Sequence, residues 1–240
     1  MNKEKLLYEN SKHALQSDNI IAITNRHLCS RPFMEQLERV CKLHPHAIVL
    51  REKDMPEAEY LSLARDVIAL CKKYDVQCML HSFINVAMEL EHPYIHLPLP
   101  ILEAYVKKNM SGNISTGMSK STDNYQQFFK VIGTSVHSVE DAIKAEQLGA
   151  TYMTAGHIFA TDCKKGLPPR GLDFLKNVCD AVGIPVYAIG GINIASNDDS
   201  TASDAPPAYD AMPDISVPRL ADVMECGAAG GCIMSGMMRV

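Results

Sequence analysis

VIGTSVHSVEDAIKAEQLGATYMTAGHIFATDCKKG (131–166), followed after one more amphipathic segment by IPVYAIGGIN (184–193), is the stretch whose reading decides the fold. Its three apolar runs, Val131–Ser135, Tyr152–Ala155 and Val186–Ile189, each stop at a small or polar residue. Helical spacing of apolar residues follows the first run and precedes the third. This is the grammar of strand, loop and helix in alternation. The chemically reactive residues fall just past strand ends, where an α/β barrel builds its active site.

The same alternation extends outward to both ends of the chain. Ile20–Thr24, Ala47–Leu50, Val76–Leu80 and Tyr94–Leu97 read as the first four strands, and Gly231–Met234 as the last. Phe33, Leu37, Val40 and Cys41, then Leu61, Ala64, Ile68 and Cys71, recur at helical spacing between them. Pro56 suits the first turn of the second of these helices. Pro98 and Pro100 break the fourth strand before a helix over 101–108. Ser138-x-x-Asp141 resembles a capping box for a helix turning Val139, Ala142, Ile143, Ala145 and Leu148 inward. Eight strands and seven helical segments predict an α/β fold, a (β/α)8 TIM barrel in a single domain over 1–240. The last helix of such a barrel is lacking. The N-terminal extension 1–17, or a partner subunit in a homo-oligomer, could cover that place. Residues 110–125 and 193–216 read as surface loop excursions.

Composition narrows the function classes. The 240 residues are 47% hydrophobic and 21% charged, as in ordinary globular proteins. Asp198, Asp199, Asp204, Asp210 and Asp214 share one segment free of Lys and Arg, and they account for the whole net charge of −5. The rest of the chain is balanced and offers no basic field to nucleic acid or an anionic membrane. The charged N-terminus has no signal-peptide core, and no run approaches the roughly 18 apolar residues of a membrane span. Eight cysteines, without a C-x-x-C pair or zinc-type spacing, read as small core residues suited to a reducing cytoplasm.

Gly190-Gly191 and Ser235-Gly236 end strands seven and eight, where barrel loops turn backbone N–H groups onto a phosphate; a glycine pair can equally serve only a tight turn. Arg51 and Lys53 flank Glu52 directly after strand two, so both can face the barrel mouth and hold an anion. Lys164 and Lys165 lie in the loop after strand six, where a cationic lid could close. His137, two residues past strand five, can be a general acid or base, or a hydrogen-bonding residue at the start of the next helix. His81 and His96 end strands and His157 follows one, yet no i, i+4 pair supports a metal site.

With LREK (50–53), His81-Ser82, YIHL (94–97), GTSVHS (133–138), GHIFATDCKKG (156–166), AIGGI (188–192) and IMSG (233–236) in this order, the chain resembles the thiamine-phosphate synthase/TenI superfamily from about residue 20 to 235. The resemblance implies a barrel that handles the thiazole phosphate precursor of thiamine. Its synthase members join a pyrimidine diphosphate to thiazole phosphate with Mg²⁺. Its TenI-type tautomerases aromatise a thiazole carboxylate phosphate by moving a proton, without metal. By motif match, Arg51, Lys53 and Lys164 fall on diphosphate-binding positions, and Gly190, Gly191, Ser235 and Gly236 on the thiazole phosphate cradle. His137 falls on the acid/base of the tautomerase, and His81, His96, Ser135 and Thr161 join the substrate- and phosphate-contacting set.

Departures from the synthase pattern separate the two activities. Where the synthase has Asn-Asp after strand three, this chain has His81-Ser82. Where it has His-Leu-Gly-Gln-x-Asp after strand four, this chain has His96-Leu97-Pro98-Leu99-Pro100-Ile101. Mg²⁺ wants hard oxygen ligands, which imidazole and proline do not supply. The expectation is a TenI-like isomerase that needs neither metal nor cofactor, with His137 moving the proton. A divergent, Mg²⁺-dependent synthase and a non-catalytic binder of phosphorylated ligands are the alternatives.

Overall fold

The computed structural model describes residues 19–112, 128–161, 164–194 and 217–240. Eight strands run β1 (Ile20–Ile23), β2 (Ala47–Leu50), β3 (Gln77–His81), β4 (Tyr94–Pro98), β5 (Val131–Val136), β6 (Tyr152–Gly156), β7 (Val186–Ile189) and β8 (Gly230–Ile233). They close in sequence order into one barrel, every neighbouring pair parallel. The closing seam pairs Ile21 with Cys232. The α-helices among the described residues are α1 (Phe33–Lys42), α2 (Glu57–Lys73), α3 (Ile84–Glu89), α4 (Leu99–Gly112), α5 (Val139–Gln147), α6 (Gly171–Ala181) and α7 (Leu220–Glu225).

Period-two alternation divides the apolar residues into two cores. One set of strand residues, with Ile48, Leu50, Leu80, Ile95, Leu97 and Met153 among them, packs outward against the helices. The other (Ile21, Ile23, Ala47, Val49, Met79, Tyr152, Tyr187 and Cys232) fills the barrel interior. Both faces of the strands are thus buried, which is why they read as continuous apolar runs.

Several boundaries and faces differ from the sequence expectation. The buried stripe of α2 is Tyr60, Ala64, Val67 and Cys71, with Leu61 and Ile68 at its edges. The helix is rotated because the Tyr60 hydroxyl is drawn inward to donate to Leu50 O at 2.7 Å and accept from the His81 amide at 3.0 Å. Ile143 of α5 is 40% exposed, while Ala142 and Ala145 are buried. Pro98 ends β4, paired with Ser135, and Pro100 sits in the first turn of α4, where its missing N–H costs nothing. Residues 110–112, expected in a loop, belong to α4. Pro56 caps α2 from just outside the helix. Residues 1–17, 113–125 and 195–216, and Cys163, lie outside the described residues.

After β8 the chain continues into a turn packed against the barrel. Met237 and Met238 are buried, the Gln36 side-chain amide donates to Met237 O at 2.7 Å, and Arg31 donates to Val240 O at 2.6 Å. These contacts tie the turn after β8 to the start of α1. Cys41, Cys71, Cys78 and Cys232 are buried, and Cys29, Cys179 and Cys226 are half-buried. Among the described residues no helix is long and apolar enough to cross a membrane.

Candidate active site

Moving up the barrel, the inward-facing side chains change from apolar to polar. Above Val49, Met79 and Tyr152 come Arg51, His81, His96, Ser135 and Thr154, all near the carboxyl ends of β2 to β6. Glu52 takes the opposite side of the strand end from its two cationic neighbours. It is 2% exposed and accepts hydrogen bonds from the Thr24 hydroxyl at 2.6 Å and the Arg26 guanidinium at 3.0 Å. Arg26 also grips Asp54 through both guanidinium nitrogens, at 2.8 and 2.6 Å. Thr24 in turn accepts the Arg51 amide at 2.8 Å. This network locks the β1 and β2 loops together and orients Arg51 and Lys53 toward the mouth.

Lys53 is held below the usual lysine range by burial first, and then by the positive charges of Arg51 and Lys164. Cations from the β2 and β6 loops therefore lie close enough to repel one another, a disposition that an anion would relieve. Lys164 and Thr161 are joined through the Lys164 amide, which donates to Thr161 O at 3.0 Å, and Lys165 is exposed beside them.

The two histidines at the β3 and β4 ends lie inside the strands and are buried. Their rings stack with centroids 5.6 Å apart. Burial, then the neighbouring His96, Lys53 and Arg51 charges, lower His81 to about 2. Burial, then Lys53 and Arg51, lower His96 to about 3. Both rings are neutral near pH 7. Ser82 Oγ lies 2.8 Å from His81 Nδ1. His96 has both ring nitrogens engaged within the protein: Nδ1 is 2.8 Å from the Tyr152 hydroxyl and Nε2 is 2.9 Å from Ser135 Oγ. Thr154 donates to the same Ser135 oxygen at 3.0 Å.

His137 is exposed at the rim, and its position is fixed from two sides. Its amide donates to the Asp141 carboxylate at 3.3 Å, while Asp141 N–H donates to Ser138 Oγ at 3.0 Å, so the capping pair holds the residue that precedes it. Its Nδ1 lies 3.0 Å from Gly156 O. A carbonyl only accepts, so Nδ1 carries a hydrogen, and in the neutral ring Nε2 is the nitrogen that keeps its lone pair.

At the β7 end, Gly190 and Gly191 have φ of +98° and +71°. A Cβ on Gly190 would lie 2.4 Å from His157 Cβ, and one on Gly191 would lie 2.5 Å from Ala160 O. Only glycine fits both positions, and the tight-turn requirement alone accounts for it. Ser235 Oγ donates to Asn193 Oδ1 at 3.3 Å, joining the β8 loop, with its Gly236, to the β7 loop. Sequence reasoning missed Arg219, which donates to Gly191 O at 3.0 Å and lies 4.5 Å over the Phe159 ring. It also missed Tyr152, Thr154 and the role of Glu52. Tyr152 and Thr154 alternate on β6 toward the barrel interior, a signal available from the period-two pattern; Arg219 follows the acidic segment and carried none. Two groups of side chains thus converge on the mouth, one cationic from the β2 and β6 loops, one hydroxyl- and imidazole-rich from β3 to β6. Among the described residues, no three His, Cys, Asp or Glu side chains are arranged to hold a metal ion.

Known proteins are similar to this chain in sequence and architecture. The family model described as thiamine monophosphate synthase matches residues 20–206. A protein of Aquifex aeolicus (strain VF5) provisionally named thiamine-phosphate synthase 2 is 34% identical over 178 residues, covering 74% of this chain and 87% of that one. A thiamine-phosphate synthase of Caldanaerobacter subterraneus subsp. tengcongensis is 30% identical over 175 residues, covering 72% and 75%. The solved thiamine phosphate pyrophosphorylase of Pyrococcus furiosus superposes with a TM-score of 0.64 at 24% identity, over 93% of this chain and 89% of that one, and so shares the fold. With the barrel, the ordered motifs and these relatives in agreement, the chain belongs to the thiamine monophosphate synthase (TMP-TENI) family.

Proposed function

We propose that the protein is a thiazole tautomerase of thiamine biosynthesis, moving a proton on thiazole carboxylate phosphate without a metal. Family membership supports an enzyme of thiamine biosynthesis with phosphorylated substrates. The observation that carries the finer reading is the fixed His137 ring, whose Nδ1–H donates to Gly156 O and leaves Nε2 as a base at the mouth. In this reaction Nε2 takes a proton from the saturated ring carbon, the electron pair moves into the conjugated system, and the proton is returned at its other end. Substrate and product have the same composition, so no co-reactant is needed. Arg51, Lys53 and Lys164 anchor the anionic groups, and the β7 and β8 loops with Arg219 hold the phosphate, which fixes the reacting carbon against His137.

Among the described residues, the β3 and β4 ends do not supply the hard oxygen donors that the Mg²⁺ of the synthase reaction wants. The β3 and β4 ends offer two buried neutral imidazoles, a serine and a proline, and both His96 nitrogens are already bonded inside the protein. Conversion of thiazole carboxylate phosphate to its aromatic tautomer by the chelator-treated protein tests the reading. A divergent synthase is the second reading, favoured by the positive charges of Arg51 and Lys164 that Lys53 feels from either side, a disposition suited to a diphosphate. Formation of thiamine phosphate from pyrimidine diphosphate and thiazole phosphate identifies it.

A further inference from the structure

The row Tyr152–His96–Ser135–Thr154 contains more polar groups than a ligand contact requires, and most of it is out of solvent. Tyr152, His96 and Thr154 are 7%, 4% and 2% exposed, and Ser135 is half-buried above them. Counting hydrogens along the row leaves one arrangement. Among the described residues, the hydrogen of the Tyr152 hydroxyl has a single acceptor, His96 Nδ1 at 2.8 Å. That of Thr154 likewise has one, Ser135 Oγ at 3.0 Å. A neutral imidazole carries one N–H, so accepting at Nδ1 puts its hydrogen on Nε2, 2.9 Å from Ser135 Oγ. Ser135 then receives two hydrogen bonds, which uses both lone pairs, and its own hydrogen has no acceptor in the described chain. The opposite tautomer would strand the buried Tyr152 hydrogen, an arrangement that folded proteins avoid.

We propose that Tyr152 is a positioning residue whose hydroxyl holds His96 as the Nε2–H tautomer, and that this obliges Ser135 to donate its hydrogen to an anionic oxygen of the ligand. The hydroxyl lies on the same inward column of strand ends as Arg51 and His81. A group left only to donate calls for an acceptor, and the positive charges of Arg51 and Lys53 beside His96 favour an anionic one, a carboxylate or phosphate oxygen. Tyr152 acts through His96 and does not touch the ligand. The identity of the ligand rests on the reading under Proposed function, whereas the tautomer does not.

The first test uses the full chain, labelled with ¹⁵N and free of ligand. Long-range ¹H–¹⁵N correlation reads the histidine tautomers, and loss of one signal set in His96→Gln assigns His96. The expected result is the Nε2–H form; the Nδ1–H form overturns the proposal whatever reaction the enzyme performs. Tyr152→Phe keeps the ring and removes the hydroxyl. It should shift the His96 signals toward a mixture of tautomers and raise the Kd of thiazole carboxylate phosphate about three- to tenfold. Ser135→Ala should weaken binding at least as much. Repeating the comparison with thiazole phosphate lacking the carboxylate locates the acceptor. An equal loss assigns it to the phosphate, and a loss confined to the carboxylated ligand assigns it to the carboxylate. An unchanged Kd for both ligands in Tyr152→Phe overturns the proposal.

Discussion

The Tyr152 ring occupies the space that any side chain at position 133 would need: a Cβ on Gly133 would lie 2.1 Å from Tyr152 Cζ. The two residues are paired across β5 and β6 in the barrel register. Gly133 is therefore what lets a tyrosine lie across the barrel beneath His96. Gly133→Ala should destabilise the fold by about 1–3 kcal/mol through overpacking. The same substitution should cost less in a Tyr152→Leu background. Urea unfolding of the double-mutant cycle measures this; equal costs in both backgrounds would dissociate the two residues.

Glu52 makes the second internal commitment at the strand ends. With 2% exposure and three donors on its carboxylate from Thr24 and Arg26, it has no apolar substitute. Glu52→Gln turns an NH₂ toward one of those donors and should lower stability by about 1–3 kcal/mol. It should also weaken anion binding, because the loops carrying Arg51 and Lys53 loosen. Thermal melts together with phosphate titration check both effects.

The buried histidines set the sign of an acid dependence. Folded-state values of about 2 for His81 and about 3 for His96 lie below the ordinary 6.5, so the unfolded chain binds more protons below about pH 6.5. Their contribution to stability is complete above that pH and falls as the solution is acidified. The slope is at most about 1.4 kcal/mol per pH unit for each ring. Asp54, held low chiefly by its hydrogen bond to Arg26, adds its own loss only below about pH 4. Urea midpoints should therefore already decline between pH 6 and pH 4, and the decline should shrink in His81→Asn. A flat profile over that interval would contradict the buried, neutral assignment.

Arg219 is tested by its charge. It bonds the Gly191 carbonyl at 3.0 Å and covers Phe159, so Arg219→Gln leaves the hydrogen-bonding capacity and removes the cation. The Kd for a phosphorylated ligand should rise about three- to tenfold, more at low salt than at high. Isothermal titration at two ionic strengths reads the difference.

The barrel was legible in the sequence because a parallel sheet buried on both faces writes its strands as compact apolar runs, and all eight were found within a residue or so at each end. Placement was legible too: Arg51, His81, His96 and Ser135 come together because strand ends gather, and His137 follows β5 at the rim. Partnerships were not. Tyr152 and His96 stand 56 residues apart, and Thr24 and Glu52 stand 28 apart, so no local pattern joins them. The face of α2 was misread because Tyr60 is drawn inward by two hydrogen bonds, which an apolar stripe does not reveal. The turn after β8, with Met237 and Met238 buried, is tied to Gln36 and Arg31 of the distant α1 region, a link that no local pattern shows.

The proposed role of His137 is to move a proton on a phosphate-anchored thiazole. The most direct test is NMR of thiazole carboxylate phosphate in D₂O with chelator-treated protein, following loss of the ring proton and growth of the aromatic tautomer. Acceleration over buffer is expected, reduced roughly 10²–10⁴-fold in His137→Ala with little change in Kd. Acceleration that is undiminished in His137→Ala, or no acceleration by the intact protein, would contradict it.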